Sequence, residues 1–262
     1  MTAGTGPGTE RAPQVVFLHA VTRDRFDFDE LAAALDVPTL ALDLPGHGDG
    51  PRTAPYRIMR MAEAIRLPPG PPPILYGHSL GGCVALALAA QRPGAIRALV
   101  LEDPPLFAFD PARTERRAFY RGFIRLKEQM EGPFAGYSAE AWAAEVAGWG
   151  SGHGRVSLAE RFGPEAVRRR GRQLATFDSR VLDGLIDLSI GAGFDPVACL
   201  AALDVPVTLI AGDPEQSSVL AAADVRRLDA ELGVTVVQVA GEGHFIHEVL
   251  PETCLAPVRE RL

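Results

Sequence analysis

The chain is almost without lysine: Lys127 is the one example among 262 residues, and arginine carries nearly all of the positive charge. Acidic residues outnumber basic ones, and the formal charge of −7 excludes a nucleic acid or an acidic membrane surface as an expected partner. The densest basic stretch, Arg168-Arg169-Arg170-Gly171-Arg172, is short and reads as a solvated face. Cysteine is scarce too. Cys83, Cys199 and Cys254 are odd in number and far apart, which excludes a disulfide framework and a metal knuckle. Cys83 and Cys199 fall in apolar stretches and read as small core residues. No apolar run approaches membrane-spanning length and no charged-then-apolar leader precedes a cleavage site, so the expectation is a soluble, cytoplasmic protein. No internal repeat is visible. Gly4-Thr5-Gly6-Pro7-Gly8 follows no strand and is no dinucleotide fingerprint. His244 and His247 with Glu248 lack a third well-spaced ligand. No cofactor and no metal are expected, and the expected partner is a small-molecule substrate.

What is present suits one large globular domain, with 47% hydrophobic and 23% charged residues. Short β-branched or leucine-rich runs lie at Val15–Leu18, Thr39–Leu42, Ile74–Tyr76, Ala98–Leu101, Val207–Ala211 and Val234–Val239. They are continuous rather than alternating, the pattern of strands buried on both faces of a parallel sheet. Helix-period segments lie between them: Phe28, Leu31, Ala32 and Leu35; Ile58, Met61 and Ile65; and the stretch from Gly82 to Gln91. Strand alternating with helix predicts an α/β fold, a mostly parallel central sheet flanked by helices.

The alternation stops between Leu101 and Val207. A structureless loop of that length is improbable in a compact domain, and the segment carries helical stripes of its own. Phe119, Phe123, Leu126 and Met130 form one, Trp142 and Val146 a second, and Val181, Leu182, Leu185 and Ile186 a third. Gly132-Pro133 and the run from Gly148 to Gly154 read as its turns. The expected organisation is a disordered N-terminus over residues 1–13, a core over 14–104 and 195–262, and an inserted helical lobe over 105–194.

One short stretch carries chemistry. Gly77-His78-Ser79-Leu80-Gly81 fits G-x-S-x-G at the junction of a strand and a helix. A serine there sits on a sharp turn with its Oγ aimed away from the backbone, and the glycines leave room where a side chain would collide. A serine hydroxyl is a weak nucleophile and needs a base. His244, after the last strand, is the candidate, since histidine can be neutral near pH 7.

With these residues the chain resembles the α/β-hydrolase superfamily, and the resemblance runs along nearly its whole length outside the lobe. Phe17-Leu18-His19-Ala20 is similar to the family's strand-then-HG segment, with alanine where glycine is usual. Asp43-Leu44-Pro45-Gly46-His47-Gly48 is similar to its D-x-x-G-x-G turn. Leu101-Glu102-Asp103-Pro104-Pro105 falls where the family inserts a cap, and Gly241-Glu242-Gly243-His244-Phe245 resembles the segment carrying its histidine. The resemblance implies an acyl-enzyme mechanism without cofactor, with the amides of Val21 and Leu80 as oxyanion donors. It leaves the third member of the triad open. Counting from Gly212 lands on Glu215, which we place first; Asp213 serves if the turn is wound differently, and Asp103 matches relatives whose acid follows the strand after the elbow helix. In each case the acid orients the imidazole and stabilises its cation.

The resulting expectation is a serine hydrolase with a helical cap, cleaving an ester, lactone or thioester of a small, largely apolar molecule. A dehalogenase or epoxide hydrolase is disfavoured, because such relatives carry aspartate where Ser79 stands. Two rivals remain: a non-hydrolytic biosynthetic enzyme or lyase using the same pocket, and a ligand-binding protein on this scaffold.

Overall fold

The computed structural model describes residues 12–110, 112–113, 117–150 and 156–262, with side chains from residue 120 onward in the helix that opens at Arg117. The expected disorder up to residue 11, the Phe119 side chain and turn residues 151–154 lie outside the described residues.

Six strands form one sheet: β1 (Val15–Leu18), β2 (Thr39–Leu42), β3 (Ile74–His78), β4 (Ala98–Glu102), β5 (Val207–Ala211) and β6 (Thr235–Gln238). Their order is β2-β1-β3-β4-β5-β6 and every pairing is parallel. All six coincide with the apolar runs of the sequence to within two residues at either end. The four inner strands are buried throughout. The edge strands β2 and β6 are only partly buried, since each has a neighbour on one side alone.

The continuous apolar pattern arises because successive residues face opposite sides of a sheet covered on both. Val16, Leu18, Leu75, Leu99, Leu101 and Leu209 join one core cluster, with α2 (Ile58–Ala64) and α3 (Leu80–Gln91). Val15, Phe17, Ile74, Tyr76, Val100 and Ile210 join the other. There they meet Phe28, Leu31 of α1 (Asp29–Ala33), and Cys254, Leu255 and Val258 of α11 (Pro251–Arg259). Helix α3 is buried from Leu80 to Ala89, hence apolar all round.

Among the described residues, five α-helices lie between β4 and β5: α4 (Arg117–Glu131), α5 (Ala139–Val146), α6 (Leu158–Ala175), α7 (Val181–Ile186) and α8 (Pro196–Ala201). Three of them carry the expected stripes. Helix α6, the longest, was not foreseen, because Gly163 and Pro164 interrupt its pattern; the chain kinks at Gly163, with φ 76°. Ser157 and Glu160 close its N-terminus as a capping box. Trp142, Val146, Val167, Leu174, Val181 and Leu182 pack into the same cluster as α3. The Tyr56 hydroxyl donates to Asp178 Oδ2 at 2.6 Å, tying the insert to the core. The remaining helices are α9 (Ala222–Leu232) and the short α10 (Ile246–Val249), which follows His244.

Candidate active site

The elbow is built by the collision of β3 with α3. Ser79 stands between them at φ 54°, ψ −120°, a conformation that costs about 1–3 kcal/mol for a residue with a side chain. It persists because both flanks are held: the Ser79 N–H donates to the Glu102 carbonyl, and the Gly82 N–H to the Ser79 carbonyl, each at 2.9 Å. A Cβ on Gly77 would lie 2.5 Å from the Gly81 carbonyl oxygen, and one on Gly81 would collide with the carbonyls of Leu18 and His19. The glycines of the motif are therefore demanded by backbone proximity.

His244 comes from the loop between β6 and α10. Its Nε2 lies 2.9 Å from Ser79 Oγ and its Nδ1 lies 2.7 Å from Asp103 Oδ2. Asp103 follows β4 at φ 39° and is fully buried. Its carboxylate also accepts from the Val219 N–H at 2.9 Å and the Ser218 hydroxyl at 2.6 Å. A carboxylate only accepts here, so Nδ1 carries the ring proton and Nε2 offers its lone pair to the serine hydroxyl.

Of the three candidate acids, the structure brings Asp103 to the histidine. Asp213 and Glu215 lie in the next turn and point elsewhere. The Asp213 carboxylate accepts the N–H groups of Gly241 and Glu215, each at 2.9 Å, and these amides hold its pKa below the ordinary value. The Glu215 side chain is exposed on a short 3-10 turn. The count from Gly212 fails because that turn is folded back onto the 241 loop, while β4, adjacent to β5, delivers its own carboxylate at the same height.

Val21 borders the cavity over Ser79 and Leu80 opens α3 directly after that serine, and among the described residues neither backbone amide has a main-chain hydrogen-bond partner. His19 holds this loop from beneath. Its Nδ1 donates to the Ala20 carbonyl at 2.8 Å and its Nε2 accepts the Leu44 N–H at 3.0 Å, while burial lowers its pKa. His47, in the D-x-x-G-x-G turn, is fully buried against His19 and Phe177.

Behind the site lies a second set of titratable groups. His78 Nε2 donates to the carbonyl oxygen of His244 at 2.8 Å, and burial pushes the His78 pKa down to about 3. Glu102, next to Asp103 but facing the opposite side of the sheet, accepts from Tyr76 at 2.6 Å and from His247 Nδ1 at 2.9 Å. Burial alone would raise the Glu102 pKa; the positive His247 beside it and these hydrogen bonds outweigh that and hold it at about 2. Burial likewise opposes the charge on His247, and Glu102 with Asp27 outweigh it, raising the group to about 10.

A cavity of about 510 Å³ opens over Ser79 and His244, walled by Val21, Phe123, Leu126, Trp149 and Phe245. A second, of about 380 Å³, adjoins it and shares Trp149, Arg170 and His244. The position of Arg170 corrects the reading of residues 168–172 as one solvated face. Helical rotation turns Arg168 and Arg172 outward and Arg170 inward. Its guanidinium donates to the Thr22 carbonyl oxygen and, at 2.8 Å, to Thr22 Oγ1. Among the described residues no carboxylate pairs with it directly, and burial together with Arg23 lowers its pKa to about 9. The apolar stripe around it, Val167, Gly171 and Leu174, was the available sign that α6 is a helix with an inner face.

The profile of the alpha/beta hydrolase family matches residues 15–255. Among curated proteins, the pimeloyl-[acyl-carrier protein] methyl ester esterase of Neisseria meningitidis serogroup C is 41% identical over 90 residues, which span 34% of this chain and 35% of that enzyme. Esterase Rv0045c of Mycobacterium tuberculosis is 38% identical over 122 residues, 44% of this chain and 40% of that one. The matched stretches thus cover well under half the length of these relatives. Among solved structures, E-2-(acetamidomethylene)succinate hydrolase superposes with a TM-score of 0.69 at 23% identity, covering 95% of this chain and 91% of the other. A profile match over nearly the full chain, with the parallel sheet and the elbow in place, makes the chain a member of the alpha/beta hydrolase family.

Proposed function

We propose that the protein is a serine hydrolase of carboxylic esters, with Ser79 as nucleophile, His244 as base and Asp103 as the acid that orients it. The observation carrying this reading is the continuous chain of hydrogen bonds, 2.9 Å from serine to imidazole and 2.7 Å from imidazole to carboxylate. In the first half-reaction Ser79 Oγ attacks the acyl carbon while His244 Nε2 takes its proton. The amides of Leu80 and Val21 receive the developing oxyanion, each such donor being worth about 10²–10³ in rate. Collapse expels the alcohol, which leaves with the proton from Nε2. Water then attacks the acyl-enzyme with His244 again as base, releasing the acid and restoring Ser79. Lactones and thioesters pass through the same steps.

The cavity supports a refinement of substrate class. Its walls suit an apolar acyl or alcohol group, and Arg170, without a carboxylate of its own, stands at the junction with the second cavity. We place there an anionic group of the substrate, such as a distal carboxylate. The arrangement predicts preference for a half-ester over the neutral diester of the same length.

Labelling with a fluorophosphonate probe, read by intact mass, tests the nucleophile. One adduct is expected on the native protein and none on Ser79→Ala or His244→Ala. A folded native protein that takes no adduct, or an adduct that survives Ser79→Ala, refutes the assignment.

A further inference from the structure

We propose that Asp27, His78 and His247 form a binding site for one divalent transition-metal ion of the zinc class, buried behind the catalytic histidine and separate from Ser79. The argument begins with three atoms. Asp27 Oδ2, His78 Nδ1 and His247 Nε2 are buried without a hydrogen bond in range, and all three lie within 4.8 Å of one another. Asp27 Oδ2 and His247 Nε2 face each other as an ion pair at 3.6 Å, while His78 Nδ1 has neither a hydrogen bond nor an ion pair among the described residues. A buried polar atom left unpaired is costly, and its lone pair points at the two others as a third ligand would. Among the described residues, no other group of three or more histidine, cysteine, aspartate or glutamate side chains converges in this way.

The second partners of these side chains suit a metal. His78 spends its Nε2 proton on the His244 carbonyl, which leaves Nδ1 with a free lone pair. His247 donates from Nδ1 to both oxygens of Glu102, each at 2.9 Å, which directs Nε2 inward. An imidazole whose far nitrogen is held by a carboxylate or carbonyl is the usual form of a metal-bound histidine. Asp27 is fixed through its other oxygen, which accepts from Arg23 at 3.1 Å. Two imidazole nitrogens and one carboxylate oxygen favour zinc, cobalt or nickel over magnesium or calcium.

Charge and size agree. Four carboxylates, Asp24, Asp27, Glu102 and Glu248, face the guanidiniums of Arg23 and Arg170, and Arg23 contacts Asp27 and Glu248. When the ion enters, His247 releases its Nε2 proton to solvent and the metal takes that lone pair; the cluster is then electrically neutral. Zinc–nitrogen bonds of about 2.1 Å in a tetrahedral site require ligand atoms about 3.4 Å apart. Asp27 Oδ2 and His247 Nε2 are already 3.6 Å apart, so the closing movement falls mainly on His78. A cavity of about 300 Å³ between α6 and the core, bordered by Asp27, Glu30, Glu165, His247 and Glu248, supplies the way in. The sequence hid this set because its members come from three distant segments, after β1, at the end of β3 and in α10, with no common spacing.

The test uses the full chain, stripped with a chelator and then equilibrated with Zn²⁺ or Co²⁺ alone. Metal retained after dialysis is counted by elemental analysis, affinity is measured by calorimetry, and the site is located by anomalous diffraction. One ion per chain is expected at the Asp27–His78–His247 point, together with the visible absorption of low-symmetry Co²⁺. Asp27→Asn and His78→Gln should each weaken binding by about a hundredfold. Among the described residues His78 takes part in no ion pair, so its variant keeps the test alive if Asp27→Asn does not fold; circular dichroism monitors both. His244→Ala should retain the metal. The proposal is overturned if the folded protein holds no ion at that point, if both ligand variants bind as the native chain does, or if His244→Ala abolishes binding, which would place the metal on the catalytic histidine.

Discussion

Replacing Asp103 by asparagine removes one negative charge and almost none of the shape. Its Oδ1 accepts from Ser218 Oγ at 2.6 Å and, weakly, from the Gly212 N–H at 3.4 Å; Oδ2 accepts from the Val219 N–H and from His244 Nδ1. An amide nitrogen at the Oδ2 place would face two N–H donors. At the Oδ1 place it faces a hydroxyl that can turn to accept. Asparagine therefore settles with its oxygen toward His244, and the ring keeps its tautomer. What is lost is the attraction between a carboxylate and the imidazolium that forms as Ser79 attacks. With charge centres about 4 Å apart and an effective dielectric near 20, that attraction is about 4 kcal/mol, or about a thousandfold in rate. The assay is kcat/KM for a p-nitrophenyl ester, with circular dichroism to confirm folding, run beside Asp213→Asn and Glu215→Gln. Those two should lie within about threefold of the native protein, since neither carboxylate touches the histidine. A Glu215→Gln loss as large as that of Asp103→Asn, or Asp103→Asn keeping more than about a tenth of the activity, refutes the reasoning.

Three further outcomes follow from the same geometry. Ser79→Gly relieves the positive φ at the elbow, so it should raise stability by about 1 kcal/mol, a Tm increase of about 2 °C, while abolishing activity; an unchanged or lower Tm in a scanning calorimeter counts against stored strain. Arg170→Gln should raise KM for a half-ester about tenfold or more and leave the matching neutral diester unaffected; equal effects on both would remove the anion site. Burial would raise the Asp178 pKa, but hydrogen bonds from Arg180 and Tyr56 outweigh it and hold the group at about 2, below the ordinary 3.8. Its contribution to stability is therefore complete above about pH 4 and is lost as the pH falls toward 2. Tyr56→Phe should make that acid limb shallower, read from urea midpoints between pH 2 and 4; an unchanged slope would show that the hydroxyl does not hold the carboxylate.

The sheet and the elbow were legible in the sequence because their requirements are local. A strand buried on both faces must be apolar residue after residue, as Leu99-Val100-Leu101 are, and Gly77 and Gly81 answer contacts made within a few residues of themselves or with the adjoining strand. The identity of the acid was not local. β4 and β5 lie side by side, and each ends in a turn bearing an aspartate, Asp103 after one and Asp213 after the other. Which of them meets His244 depends on how the turn after β5 folds against residues 241–243, and no spacing records that. Arg170 was obscured by its neighbours: four arginines in five residues read as one charged surface, and only the helical rotation of α6 separates the inward one from the rest. Helix α6 was itself obscured by Gly163 and Pro164 at its kink.

His244 is gripped at both ends by two consecutive residues. Ser79 meets its ring, and His78 holds its main-chain oxygen. The span that decides reactivity is thus measured across a single peptide unit at the tip of β3, like the jaws of a caliper cut from one piece of metal. No residue of the helical insert takes part in either contact, so the gap between oxygen and nitrogen is set by the tip of β3 and the loop after β6.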